Sequence, residues 1–369
     1  IALKPSRLIA PLASLSLSGA VLAQPTITNL GTLPGAPSSY VSGISADGSV
    51  VCGGSGNNAF RWTAGTNLQQ LEAPAGTNYR FAFGMSADGS VLAGYSTTSA
   101  FNSARAVVWR TGSSVQTIGG FPGAGFSVAQ SVSADGQTLA GYADTSAGET
   151  HAVRWTSTGI HDLGTLAGGS YSLGDSVSAD ASTVTGGSDD VDGNFFATRW
   201  VNGGPAESLG VLPGYAASEA FAASANGSVI VGASQSADGS TNRAFRWTDS
   251  GMMQDLGELA LFPSSWASSV SGDGSIITGY SGDPATTGIH AFMWTQGTGI
   301  VDLNTYLPTL GVDLTGWTLS NAIVSADGST FAGSGQFNGE TRAFVVSVPS
   351  PGAAGLLAMG GLLALRRRR

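Results

Sequence analysis

The tetrapeptide Ser-Ala-Asp-Gly starts at Ser45, Ser86, Ser133 and Ser325, and near copies start at Ser178, Ser224 and Ser271. The spacings run from 41 to 54 residues. At such a period, one small structural unit recurs and buries its apolar face only against its neighbours. Every copy carries a glycine eight residues after its serine: Gly53, Gly94, Gly141, Gly186, Gly232, Gly279 and Gly333. A further Ser-Ala-Asp-Gly at Ser236 lacks that glycine and is read as a chance match in a loop.

Each unit reads as four short strands. Small and β-branched residues such as Ala129 to Val132 precede the tetrapeptide, and runs such as Val229-Ile230-Val231 follow it. Asp-Gly between two such runs is a strong hairpin signal, because glycine supplies the positive φ that a tight turn needs. The glycine closing the second strand marks a bulge or a close backbone approach. The third strand is typified by Ala59-Phe60-Arg61-Trp62 and ends in Trp109, Trp155, Trp200, Trp247 and Trp294 in the next five copies. A turn such as Thr158-Gly159 leads to a fourth strand, Ile160 to Gly164.

The seventh copy stops at Ser347 after its third strand, whereas Ile27 to Gly35 matches Ile160 to Gly168 nearly residue for residue. A ring closed by the first strand explains this permutation, since closure leaves no open sheet edge. The expected fold is therefore all-β, a seven-bladed β-propeller over residues 24–347, with a β-solenoid as the alternative.

The two ends are read as processing segments. Residues 1–23 combine Lys4 and Arg7 with an apolar stretch and Val21-Leu22-Ala23, as a signal peptidase substrate would. Residues 348–369 run from Val348-Pro349-Ser350-Pro351 through an apolar segment to Arg366, Arg367, Arg368 and Arg369. That segment is short for a membrane span, which takes about 20 residues, and terminal arginines hold a chain's end in the cytoplasm. The tail resembles the PEP-CTERM sorting signal of Gram-negative bacteria, with Ser350 where the family usually has Glu. The resemblance implies transient anchoring in the inner membrane through this segment alone, cleavage by an exosortase, and delivery to the cell surface or extracellular matrix, often with exopolysaccharide. The repeats resemble the HAF family of extracellular bacterial proteins, whose naming triplet stands as His290-Ala291-Phe292 and, altered, as His151-Ala152-Val153. That resemblance implies export and repetition, not an activity.

Six of the 15 basic residues lie in the two ends, leaving nine arginines against all 24 acids, a net charge of −15. Such a surface repels nucleic acid and anionic membrane. The lone Cys52 excludes an internal disulfide and reads as a small buried residue.

No signature of a nucleophile elbow, a zinc-binding helix or a phosphate loop is present. His151 and His290 share a position held elsewhere by Asn58, Arg105, Phe196, Arg243 and Arg342, which marks a structural slot, and His161 is read likewise. The aspartates of the tetrapeptide read as turn residues bonding their own backbone. Asp189 to Asn194 resembles an acidic calcium loop, so a calcium ion near Asp190 and Asp192 is the one cofactor considered; the loop lacks a downstream bidentate Glu. The repeat tryptophans read as inter-blade packing. Trp266 and Trp317, with Tyr40, Phe81 and Tyr171, are placed in loops before the first strands as a ligand-binding rim.

The expectation is a secreted, non-catalytic binding or scaffold protein whose partner is a polysaccharide or a surface protein, with no catalytic, cofactor or metal residues assigned. The alternative is a glycan-acting hydrolase. It requires two carboxylates converging in the ring, and Glu149, Glu207, Glu219, Glu258 and Glu340 are scattered among the blades. A close pair of buried acids in the channel argues for it; acids spread over the outer rim argue against.

Overall fold

A computed structural model describes residues 25–98, 103–283 and 288–348. The expected signal peptide, and the expected sorting tail beyond Val348, lie outside the described residues. Seven four-stranded antiparallel sheets are present, each meandering outward from an inner first strand. The inner strands are Ser39–Ile44, Tyr79–Met85, Ser127–Val132, Ser172–Val177, Ala217–Ala223, Ser265–Val270 and Trp317–Val324. The chain is a seven-bladed β-propeller, as the repeat count requires.

Closure follows the sequence permutation. The first strand, Ile27–Gly31, pairs with the third strand of blade 7, Glu340–Ser347, from Ile27↔Val346 to Gly31↔Ala343. The register reproduces Ile160↔Trp155 through Gly164↔Ala152 in blade 3, including its irregularity. A hydroxyl clip recurs at several blade junctions. Ser172 Oγ of blade 4 donates to Gly164 O and accepts from Ala152 N of blade 3. Ser39 Oγ of blade 1 does the same with Gly31 O and Ala343 N, so the closing seam has the bonding of an ordinary blade junction.

The core is divided among the seven junctions rather than held in one mass. Trp200 of blade 4 packs with Ala140, Ala152 and Leu163 of blade 3. Trp62 of blade 1 packs with Ala343 and Val345 of blade 7 and with Leu30 of the closing strand. The repeat tryptophans are at most 6% exposed, so inter-blade packing is their role. Cys52 is fully buried, and desolvation pushes its thiol up to about 12.

The tetrapeptide builds the turn between first and second strands and also ties the blades together. Within blade 1, Ser45 Oγ donates to Asp47 Oδ1 and accepts from Val50 N, while Asp47 Oδ1 accepts from Ser49 N. Between blades, Ala46 N donates to Ala87 O, Ala87 N to Ala134 O, and Ala134 N to Ala179 O. Asp180 N donates to Ala225 O, Ala225 N to Gly272 O, Gly272 N to Ala326 O, and Asp327 N back to Ala46 O. Seven backbone bonds of 2.9–3.2 Å thus circle one end of the channel. The copy at Ser236 is not idle, which corrects its reading as a chance match. It builds the same turn between Ile230–Gln235 and Asn242–Thr248 of blade 5, with Ser240 N and Ser236 Oγ on Asp238 Oδ1. The motif specifies a turn, and the glycine eight residues on specifies where in the blade it falls.

Candidate functional site

The repeat glycine shapes the channel wall. A Cβ on Gly186 would lie 1.9 Å from Leu173 O, and the equivalent contacts in the other blades are 1.9–2.1 Å. Only glycine lets the inner strand press this close to the second, and at that point the inner strand bulges. In blades 1 to 6 the register skips Ser42, Phe83, Gln130, Asp175, Phe221 and Ser268. An extra bulge residue re-aims its side chain, and all six line a channel cavity of about 270 Å³. That cavity runs from the bulge row to the small residues of the tetrapeptide ring.

Asp175 is the acid among these bulge residues. Its Oδ2 has less than 1 Å² of accessible surface and no donor among the described residues. The residue as a whole keeps intermediate exposure along the narrow channel, but protein surrounds the carboxyl group itself. Facing it from the inner strand of blade 5 is Glu219, close enough for the two carboxyls to share a hydrogen bond. Two carboxylates cannot make that bond; one must carry the proton. Burial, and then the Glu219 charge, hold the Asp175 carboxyl well above the usual carboxylate range. Burial also raises Glu219, while the Asp175 proton pulls it partly back. The two carboxyls therefore hold one proton between them, with Asp175 the more strongly raised. Tyr142, on the second strand of blade 3, has its phenol pushed up by burial and then by the nearby Asp175–Glu219 pair, and Tyr171 is raised by burial and then by the same pair.

The expected rim lies on the same element. Tyr40, Phe81 and Trp266 stand five residues before their motif serines, the position Glu219 holds in blade 5, and Trp317 opens the inner strand of blade 7. Their assignment to loops is corrected: these four are inner-strand residues, because the strands begin earlier than the small-residue pattern suggests. Tyr171 does precede its strand. Tyr40 and Tyr171 are 45% and 41% exposed. Trp266 stacks on Tyr280 at 4.9 Å, and Trp317 packs against Phe337 at the same distance.

The remaining candidates are occupied elsewhere. His151 Nδ1 lies 3.0 Å from Asp162, and His290 Nδ1 lies 2.7 Å from Asp302, each bridging a third strand to the fourth. Asp190 Oδ1 accepts from Asp192 N and Asn194 N, closing its own turn. Among the described residues no group of three or more His, Cys, Asp or Glu side chains is placed to hold a metal ion. Of the scattered glutamates, Glu207 and Glu258 pair with Arg199 and Arg243, and Glu340 pairs with Arg342. Only Glu219 of that set enters the channel pair. Sequence reasoning missed Asp175, although a signal existed: three residues before the motif serine, it is the acid where other copies have Ser42, Phe83, Gln130, Phe221 and Ser268.

No family model and no curated protein matches the chain. Solved structures do match. An oligogalacturonate lyase from Vibrio parahaemolyticus is 10% identical with a TM-score of 0.56, covering 88% of this chain and 93% of its own. An oligogalacturonate lyase in complex with manganese is 13% identical with a TM-score of 0.57 and the same coverage. A prolyl endopeptidase, 13% identical with a TM-score of 0.52, is matched over 85% of this chain and half of its own. At such identities the likeness is one of fold. The expectation of a non-catalytic module is nonetheless corrected. Its fold neighbours include oligogalacturonate lyases, and a close carboxyl pair, the feature that argues for the glycan-acting alternative, is formed by Asp175 and Glu219.

Proposed function

We propose that the ring is a glycan-acting enzyme whose acid–base pair is Asp175 and Glu219. The observation that carries this reading is a proton-sharing carboxyl pair on neighbouring inner strands, with Asp175 lining the channel cavity and its Oδ2 out of reach of solvent. A carboxylic acid kept protonated by its surroundings can deliver a proton to a leaving glycosidic oxygen, and an ionised neighbour can take one from the attacking water. In hydrolysis the water oxygen bonds to the anomeric carbon as the C–O bond breaks, and the two proton transfers balance. A shared hydrogen bond sets the carboxyls closer than the roughly 5 Å or more of two-carboxylate glycosidases. The pair thus acts at one point: it gives its shared proton to the leaving glycosidic oxygen as the C–O bond breaks and recovers one from the water that then bonds to the anomeric carbon. Aromatic side chains on the same inner strands offer faces on which sugars stack.

The cell surface or extracellular matrix is the setting we infer for this activity. Support comes from the signal-like residues 1–23, the sorting-like tail and the acidic, lysine-free ring.

Release of reducing ends from a polysaccharide panel tests the activity. Asp175→Asn and Glu219→Gln should each lower turnover about 100-fold or more. The pH profile should fall on the acid side as the pair takes up a second proton and on the alkaline side as it loses the shared one, with the alkaline limb above ordinary carboxyl values. Asp175→Asn should melt no lower than the parent at neutral pH. A folded state that raises a carboxyl's pKa loses stability as pH climbs above the unfolded value, and the amide removes that loss. Full activity in the double variant, or no cleavage of any glycan, defeats the proposal.

A further inference from the structure

Charge around the acid pair narrows the substrate class. The Asp175–Glu219 pair, sharing one proton, carries a negative charge beside the channel cavity that Asp175 lines, and no cation appears among the groups that shift either carboxyl. Among the described residues, no arginine lines the channel cavity. The arginines have other partners: Arg199 bridges Glu207 and Asp249, Arg243 pairs with Glu258, and Arg80 donates to Leu71 O. Tyr40, Phe81 and Trp266 instead share the Glu219 row. An acidic sugar at this row would place its carboxylate beside Glu219 with nothing to neutralise it, whereas an uncharged ring would meet aromatic faces and one hydrogen-bonding acid.

We infer that the channel takes uncharged glycans through its aromatic end and rejects uronic acid polymers. This rests on the glycan-acting reading above and parts company with the substrate named for the fold neighbours. The rejection is electrostatic: like charges at close range in a partly dry channel repel, and a site without a compensating cation has no means of offsetting that. Elimination chemistry is disfavoured for the same reason. It needs the sugar carboxylate neutralised so that the adjacent carbon can give up its proton, and the channel provides no side chain for that.

The test measures binding and cleavage of neutral β-glucan and xylan oligosaccharides beside oligogalacturonate and alginate oligomers of equal length, using the full chain. Neutral oligomers should bind at least about tenfold more tightly than the uronates, with cleavage confined to the neutral set. Tyr40→Arg, at an exposed position on the mouth row, should close much of that gap by strengthening uronate binding. Equal or preferential handling of oligogalacturonate would overturn the inference while leaving a glycan-acting enzyme. A gap that Tyr40→Arg does not change would also overturn it, since charge would not be the cause. Failure to bind or cleave either set would remove the glycan-acting reading itself, and the inference with it.

Discussion

Asp175, the bulge residue, and Gly186, which pairs with the neighbouring Gly174, lie in one hairpin and illustrate two kinds of sequence information. Gly186 is dictated by its backbone: any side chain would strike the Leu173 carbonyl at 1.9 Å, so all seven copies keep glycine there. Gly186→Ala should therefore cost about 3 kcal/mol or more, as mutations that force a backbone shift do. Gly65→Ala, where a Cβ would meet nothing within 4 Å, should stay within about 0.5 kcal/mol of the parent. Equilibrium urea denaturation of both variants checks the contrast, and equal costs would mean that the close approach does not shape the blade. Asp175 obeys no such rule. Its position accepts Ser42, Phe83, Gln130, Phe221 and Ser268, so the repeat neither demands nor forbids an acid. The fold was thus legible from the positions the backbone constrains, and the site was hidden among those it leaves free. Glu219 was visible as a rare glutamate, but only the blade 4–blade 5 junction brings it against Asp175.

The element that recurs most faithfully is the tetrapeptide turn, and its aspartate acts through ionisation. In blade 2 the Ser86 hydroxyl and then Ser90 N–H bond the Asp88 carboxylate and lower it to about 2. In the extra turn Ser236 and Ser240 lower Asp238 to about 2 in the same way. Asp47, Asp135 and Asp273 are lowered too. A carboxyl depressed by folding adds stability that is complete above its unfolded value, about 3.9, and is lost as pH falls through the folded value. Melting temperature should therefore drop most steeply between about pH 4 and pH 2. Asp88→Asn should flatten that slope, because Asn226 already makes the same turn in blade 5 without a charge. Calorimetry across pH 2–5 reads both slopes, and an unchanged slope in the variant would remove this turn from the account of acid sensitivity. Reading the tetrapeptide as turn chemistry was sound. Dismissing its copy at Ser236 was not, because sequence spacing carried the judgement where local chemistry decides the turn.

At the scale of the whole molecule, the ring has no structural seam even though the chain is broken within it. The closing strand repeats the register and the hydroxyl clip of the blade 3–blade 4 and blade 4–blade 5 junctions and packs into an apolar core of its own. The tetrapeptide bonds run on from blade 7 to blade 1. If each junction supports its neighbours equally, the position of the break should matter little. A permuted chain that joins Val348 to Ile27 through a three-residue turn like Ser157–Gly159, and opens between Gly35 and Ser39, gives blade 7 its four strands in order. It should fold with a melting temperature within a few degrees of the parent, since the only contacts given up are those of the 36–38 connection: the edge packing of Ala36 and two hydrogen bonds to the Pro37 and Ser38 carbonyls. Removing residues 25–31 without returning them elsewhere should behave differently. It strips the outer edge of blade 7 and exposes Leu30's partners in the blade 7–blade 1 core, so the chain should lose its cooperative melt and associate through the bared edge. Differential scanning calorimetry and light scattering on the two variants separate the cases. A permuted ring that melts as poorly as the truncated one would mean that closure depends on the order in which the chain is built. A permuted ring that melts like the parent would mean that closure depends on the contacts alone.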